Sequence, residues 1–174
     1  MRIVDLASAG QAAPQQAAAI LYDTIPGWPA LDEALAEVRE SLSPERISRV
    51  AVDESGVLGW IGALEMYAQQ HVWELHPLAV RRDAQRQGIG RALVFDLEER
   101  VRDRGVHTVF VAADYLRGLR GETGMAGVDL YPESLRNPGG HQYEFYQKVG
   151  YVIVGVVPDA KGFGNIYLAK RIAS

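Results

Sequence analysis

An apolar run ending at Val80 and a long amphipathic segment opening at Ile89 are joined through Gln85-Arg86-Gln87-Gly88-Ile89-Gly90-Arg91-Ala92-Leu93, so glycines sit where a strand passes into a helix. The first turn of a helix leaves N–H groups without intrahelical partners and carries the positive end of the macrodipole, so phosphate oxygens bind there. Glycine lacks the Cβ that would hold an anion away. Gln85, Arg86 and Arg91 add donors and positive charge around the same turn, and arginine offers phosphate a planar fork. Two other phosphate motifs are excluded. No Gly-x-x-x-x-Gly-Lys-Ser/Thr string occurs, and the third glycine of a dinucleotide fingerprint is replaced by Leu93. A bare Gly-x-Gly also suits a plain tight turn, so the flanking pattern has to decide.

The 174 residues, 48% hydrophobic and 23% charged, are enough for one well-buried core, and a single domain over residues 1–174 is expected. No apolar run approaches the roughly 18 residues needed to span a bilayer. Met1-Arg2-Ile3-Val4-Asp5 lacks the pattern of a signal peptide, so a cytoplasmic location without membrane association is expected. Zero cysteines exclude disulfides, thiolate metal sites and a cysteine nucleophile. His71, His76, His107 and His141 show no metal-ligand spacing, and no metal is expected. A net charge of −4 argues against a nucleic-acid surface and suits a cationic small molecule better.

Periodicity predicts a strand over Arg2–Leu6, a helix over Gln11–Tyr22, a break at Pro26-Gly27-Trp28-Pro29 and a helix through Leu31, Leu35, Val38 and Leu42. Strands are predicted over Ile47–Asp53, Val57–Tyr67 and His71–Val80. Ile89, Leu93, Leu97 and Val101 mark one face of a helix of about four turns, closing near Arg104-Gly105 with arginines suited to the C-terminal dipole. Val106–Ala113 is apolar enough for a strand buried on both faces, and parallel pairing with His71–Val80 across the helix makes a right-handed βαβ unit. Asp114–Gly140, punctuated by glycines, reads as an irregular segment of functional length. A helix over Gln142–Val149 and strands over Tyr151–Val157 and Asn165–Arg171 complete an α+β or mixed α/β chain.

In Trp73-Glu74-Leu75-His76-Pro77-Leu78-Ala79-Val80 the proline has no N–H, so the ladder is expected to be interrupted at Pro77 by a bulge or a splayed neighbour. Backbone groups freed near Leu78, Ala79 and Val80 are then available to an extended ligand whose phosphorylated end lies on the glycine turn. Glu74 and His76, two apart on a strand, project from one face. An unpaired buried charge is costly, so they form either a polar face or mutual pair, or a general base beside a cleft.

Val72–Val80, Gln85–Gly90 and Tyr143-Glu144-Phe145-Tyr146-Gln147-Lys148-Val149-Gly150-Tyr151 together resemble the GNAT superfamily of acyl-CoA-dependent N-acetyltransferases, whose Gln/Arg-x-x-Gly-x-Gly/Ala signature is met at Gln85, Gly88 and Gly90. Pro44-Glu45-Arg46-Ile47, Trp73–Leu78, Tyr143–Tyr146 and Gly155-Val156-Val157-Pro158-Asp159-Ala160 look like the aminoglycoside 6′-N-acetyltransferases, in particular a dimeric branch. The N-terminal helices and Leu116–Val128, a few residues longer here, depart from that pattern.

The resemblance implies a GNAT-like α+β fold: a central mixed, mostly antiparallel twisted sheet with a splayed parallel strand pair, flanked by helices. It implies acetyl-CoA as co-substrate, its pyrophosphate on Gln85, Arg86, Gln87, Gly88, Ile89, Gly90 and Arg91 and its extended arm along Leu78, Ala79 and Val80. The N–H of Leu78 is then the donor that polarises the thioester carbonyl. Glu74, assisted by His76 or a water, takes the proton of the substrate ammonium, and Tyr146 protonates the departing thiolate. Without the resemblance, Tyr143, Tyr146 and Val149 read as one packed helix face, and Lys148 as a solvated charge. Trp28, Trp60 and Trp73 read as core or cleft wall. For a polycationic amine, Trp28, Glu74, His76, Asp114 and Asp129 are the candidate substrate contacts, with Asp32, Glu33 and Glu133 as further acids. A homodimer is implied by the resembling branch alone. Three functions stay open: acetyl transfer to an aminoglycoside; acetyl transfer to another amine such as a polyamine, amino sugar or protein terminus; and non-catalytic acyl-CoA binding. Retention of Glu74 and Tyr146 favours the catalytic readings.

Overall fold

The computed structural model describes residues 1–25, 28–115, 142–158 and 164–172. Before the long helix lie β1 (Arg2–Asp5), α1 (Ala13–Thr24), α2 (Leu31–Glu40), β2 (Ile47–Asp53), β3 (Gly56–Tyr67) and β4 (Val72–Val80). The long helix itself is α3 (Ile89–Asp103), followed by β5 (Thr108–Tyr115), α4 (Gln142–Lys148), β6 (Val152–Pro158) and β7 (Gly164–Arg171). The strands form a mixed sheet in the order β1-β2-β3-β4-β5-β7-β6, with one parallel pair. The helices flank it, as the resemblance implies.

Several element boundaries differ from the periodicity reading. β5 starts at Thr108 and continues through Asp114 to Tyr115, so Asp114 belongs to a strand and not to the irregular segment. His71 lies outside β4, closing a 3-10 turn with φ of 53°. The remainder of the segment expected to be irregular, 116–140, lies outside the described residues.

By packing, the chain divides into two compact units, Met1–Val109 with Ile172–Ser174, and Phe110–Arg171. In the first, β1 to β4 form an antiparallel meander. Trp60 and Val50 are register partners and join the cluster that also buries Leu6, Ala17, Ala18, Leu21, Ala34 and Val38. Gly59, one residue away on β3, points its missing Cβ toward Leu93 of α3, as the alternation of a strand requires. Ile89, Leu93, Val94, Leu97 and Val101 are the buried face of α3, the spacing of an amphipathic helix. No side chain caps the N-terminus of α1. A cap is worth about 1 kcal/mol, whereas each fully buried Leu or Ile contributes about 1.5–3 kcal/mol, so Ile20 and Leu21 outweigh its absence.

In the second unit β6 and β7 pair antiparallel. Ile166 and Leu168 of β7 are buried, as are Tyr143, Tyr146, Val149 and Tyr151, and α4 packs against both strands.

Polar burial in the first unit is satisfied through short relays. Trp60 donates its indole N–H to Ser48 Oγ at 2.8 Å, Ser48 and Ser41 hydroxyls meet at 2.9 Å, and Ser41 donates to the Val38 carbonyl at 2.6 Å. Arg49, only 5% exposed, reaches Asp96 of α3 and Asp5 of β1. Burial opposes its charge, but the two carboxylates win and raise its pKa. Because Ser48 is the hub of the Trp60 relay, Ser48→Ala strands the indole N–H, and urea unfolding should show stability lower by about 1–3 kcal/mol. An unchanged midpoint would contradict that role.

Candidate active site

The site begins with β4, whose burial alternates residue by residue: Trp73, Leu75, Pro77 and Ala79 face inward, while Glu74, His76, Leu78 and Val80 share the more open side. The expected interruption at Pro77 is present. Ile61 pairs with Leu78 and Ala63 with Leu75, so two steps on β3 span three on β4, and the extra residue falls at His76-Pro77, a bulge. The His76–Pro77 peptide is cis. Opposite the bulge, a Cβ on Gly62 would meet the His76 carbonyl oxygen at 2.5 Å, so only glycine allows this approach.

Glu74 is partly buried, and burial pushes its carboxyl above the ordinary range; the negative charge of Glu37 on α2 pushes it further, while His76 draws it back. Glu37 was not identified from the sequence, where it lay unremarked within the helix through Leu31, Leu35, Val38 and Leu42. It is held by Arg46, whose Nη1 lies 3.1 Å from Glu37 Oε1 and whose Nη2 contacts Glu40. On the inward face, Trp73 is covered by the Arg104 guanidinium at 5.2 Å from its ring centre.

After β4 the chain turns through residues 82–84, where Ala84 is buried. Gln85 Nε2 donates to the Val80 carbonyl at 2.9 Å and Gln87 Nε2 to the Asp83 carbonyl at 3.1 Å, so both glutamine side chains brace the loop. Arg86 (φ 63°) and Gly88 (φ 84°) both adopt left-handed backbone. At Gly88 nothing stands within 4 Å of a would-be Cβ, so conformation and not crowding demands glycine there. Ile89 is buried as an anchor, while Gln85, Arg86, Gln87, Gly88 and Arg91 are exposed and Gly90 is half-buried. The Arg91 guanidinium lies over the Phe95 ring at 5.1 Å. The first turn of this 15-residue helix, with Arg86 and Arg91 exposed beside it, has the features that suit an anion.

In the second unit, Tyr143 and Tyr146 of α4 and Val149 just beyond its end are buried, the packing that their spacing predicts. The Tyr146 ring meets Phe145 at 5.1 Å and Tyr151 at 5.8 Å, both edge-on. Glu144, passed over in the sequence, has Oε1 buried with no hydrogen-bond partner, an expensive state for a carboxylate. Lys148 is exposed.

The remaining candidates are dispersed. Trp28 is half-buried and packs against the cluster of α1 and α2. Trp60 and Trp73 are core residues, 0% and 6% exposed. Asp32 and Glu33 lie exposed in the first turn of α2, where acids complement the dipole. Asp114 has its backbone in β5, but its side chain, like Asp129 and Glu133, lies outside the described residues. Among the described residues no cluster of three or more His, Cys, Asp or Glu could hold a metal ion.

A strand with an interrupted ladder, followed at once by a glycine turn into a helix, is the arrangement that the resemblance implies, and comparison with known proteins identifies the family. The sequence profile of the acetyltransferase (GNAT) family matches residues 16–118. An aminoglycoside 6′-N-acetyltransferase solved in complex with coenzyme A is 35% identical, with a TM-score of 0.83 and coverage of 100% of this chain and 98% of that one. The aminoglycoside 6′-N-acetyltransferase from Enterococcus faecium is also 35% identical, TM-score 0.82, with the same coverage. An aminoglycoside 6′-acetyltransferase type Ii is 34% identical, TM-score 0.75, covering 100% and 99%. No curated protein sequence matches significantly. The chain belongs to the GNAT family of acetyltransferases. It is an N-acetyltransferase with acetyl-CoA as co-substrate.

Two measurements follow from this geometry. By carbon-detected NMR the Glu74 carboxyl should titrate above the usual value of about 4.3, and Glu37→Gln should bring the midpoint down; an ordinary midpoint in the wild type would contradict the burial argument. Gly88→Val forces a β-branched residue into left-handed backbone, so acetyl-CoA affinity by calorimetry should fall while the fold persists. Wild-type affinity would remove Gly88 from acetyl-CoA binding.

Proposed function

We propose that the chain is an aminoglycoside 6′-N-acetyltransferase, a single catalytic domain over residues 1–174. The observation that carries this reading is end-to-end similarity at 35% identity to enzymes of that activity, in both directions of coverage. The acidic balance of the chain and the acids around the open face of β4 suit a polycationic acceptor.

In the proposed reaction, pyrophosphate rests on Gln85–Arg91 and the thioester carbonyl accepts from the N–H of Leu78. Glu74 takes the first proton from the substrate ammonium, with His76 beside it, because only the neutral amine attacks. A carboxyl held above its usual pKa is a stronger base toward that proton. The amine nitrogen bonds to the carbonyl carbon; on collapse the C–S bond breaks and the nitrogen loses its second proton. The CoA thiolate takes a proton from Tyr146, which that second proton replaces. The acetylated nitrogen carries no positive charge, so an antibiotic that needs this ammonium loses a contact and resistance results. Trp28, Asp114 and Asp129 are assigned to the acceptor pocket. We assign the enzyme to the cytoplasm, where acetyl-CoA is available, as a homodimer. No described helix is long and apolar enough to cross a membrane.

Incubation with kanamycin and acetyl-CoA should release CoA and give a product that mass spectrometry locates at the 6′ nitrogen. Acetylation of polyamines or peptide termini, with aminoglycosides inert, would overturn the assignment. Glu74→Gln should slow turnover by roughly 10²-fold or more at low pH, where the acceptor arrives as ammonium, and progressively less toward the acceptor's own pKa. A uniform loss across pH would remove Glu74 as the base.

A further inference from the structure

Lys170 lies on β7, and its ammonium donates to the Val149 carbonyl at 2.9 Å. That carbonyl immediately follows α4, at a helix end where C=O groups lack intrahelical partners and a cation complements the dipole. The same Nζ stands 5.7 Å from the centre of the Tyr151 ring, within cation–π range. Tyr151, 2% exposed, is tied to Tyr146 twice: its N–H donates to the Tyr146 carbonyl at 3.0 Å, and the two rings meet edge-on at 5.8 Å. The N–H of Val149 also donates to the Tyr146 carbonyl, at 3.1 Å. One ammonium therefore reaches Tyr146 by two routes, through the helix-end backbone and through an aromatic contact. Seven residues are too few for a helix to persist by its own hydrogen bonds, so α4 depends on such external ties.

We propose that Lys170 is a positioning residue for acetyl transfer, holding the Tyr146 phenol in place by clamping the end of α4 and the Tyr151 ring. The inference rests on Tyr146 as the group that protonates the CoA thiolate. Lys170 touches no reacting atom in this scheme. Its charge matters through where it is held: a neutral side chain of similar length fills the same space but neither caps Val149 nor attracts the ring. The α4 segment can then shift by fractions of an ångström, which costs rate and not affinity.

The test is a double-mutant cycle on the full-length protein, with kcat, KM for acetyl-CoA and thermal midpoint measured for Lys170→Met, Lys170→Arg, Tyr146→Phe and Lys170→Met/Tyr146→Phe. Lys170→Met should lower kcat about tenfold with KM little changed, a loss in keeping with slight misplacement of a reacting group. Lys170→Arg, which keeps the charge and donors, should recover most of it. In the Tyr146→Phe background, Lys170→Met should cost no further rate, because the group it positions is gone. The same tenfold loss in that background, or wild-type kcat in Lys170→Met, overturns the positioning role. Wild-type kcat in Tyr146→Phe removes Tyr146 from the mechanism as well, a separate and recognisable failure. If Lys170→Met proves unfolded, Tyr151→Leu severs the ring route while leaving the Val149 cap, and its loss of kcat should likewise vanish in the Tyr146→Phe background; an additive loss overturns the proposal.

Discussion

The close approach of β3 and β4 at Gly62 and His76 is the constraint on which the rest of the first unit depends. Backbone meets backbone there with no room for a side chain, and the extra residue at His76-Pro77 shifts the register between Leu75 and Leu78. A bulge re-aims side chains and increases local twist. On β4 it lies between Glu74 and Leu78, and the strand then runs eight residues short of Gly88, directly into the braced loop. The proton acceptor, the carbonyl donor and the anion cradle proposed for the reaction are thus consecutive parts of one stretch of chain, and their mutual geometry is set by local backbone more than by distant packing.

Electrostatics follow the same economy. Where a charge is buried for structure, as at Arg49, two carboxylates meet it and the charged form is retained. Where a charge is half-buried at the open face of β4, the compensation is incomplete: Glu74 has Glu37 as well as His76 in its surroundings, and its carboxyl is driven up. Stability contributed by such a raised carboxyl is full below its unfolded-state pKa and is lost as pH rises through the folded value, so ionising Glu74 carries a cost. Proteins tolerate that cost at sites that do chemistry, and it separates Glu74 from the solvated acids of α2.

The legible part of the site was the part carried by local sequence. The glycine turn announced itself because Gly88 needs left-handed backbone and Ile89 needs burial, both properties of single residues in a short window. Pro77 announced the bulge by lacking an N–H. The alternation of β4 placed Glu74 and His76 on one side, and the structure keeps them there. Glu37 was not legible, because its distance from Glu74 is created by packing of α2, and nothing in its own helix distinguishes it from Glu33 or Glu40. Lys170 was equally silent: its partners, Val149 and Tyr151, meet it only because β7 pairs with β6. The strand ends were misjudged at Val106 and Asp114, where apolar content continues past the hydrogen-bonded ladder or stops before it.

What the sequence determined by itself is therefore the order of elements, the glycine turn that opens α3 and the family to which the chain belongs, because periodicity, glycine conformation and proline chemistry act over a few neighbouring residues. Only the tertiary structure decided the direction in which the Glu74 carboxyl is shifted, the roles of Trp60 and Trp73 as core, and the contacts of Lys170 with Val149 and Tyr151. Those depend on burial and on contacts between residues far apart in the chain, and Coulomb energy, desolvation and packing are functions of distance in space and not of separation along the sequence.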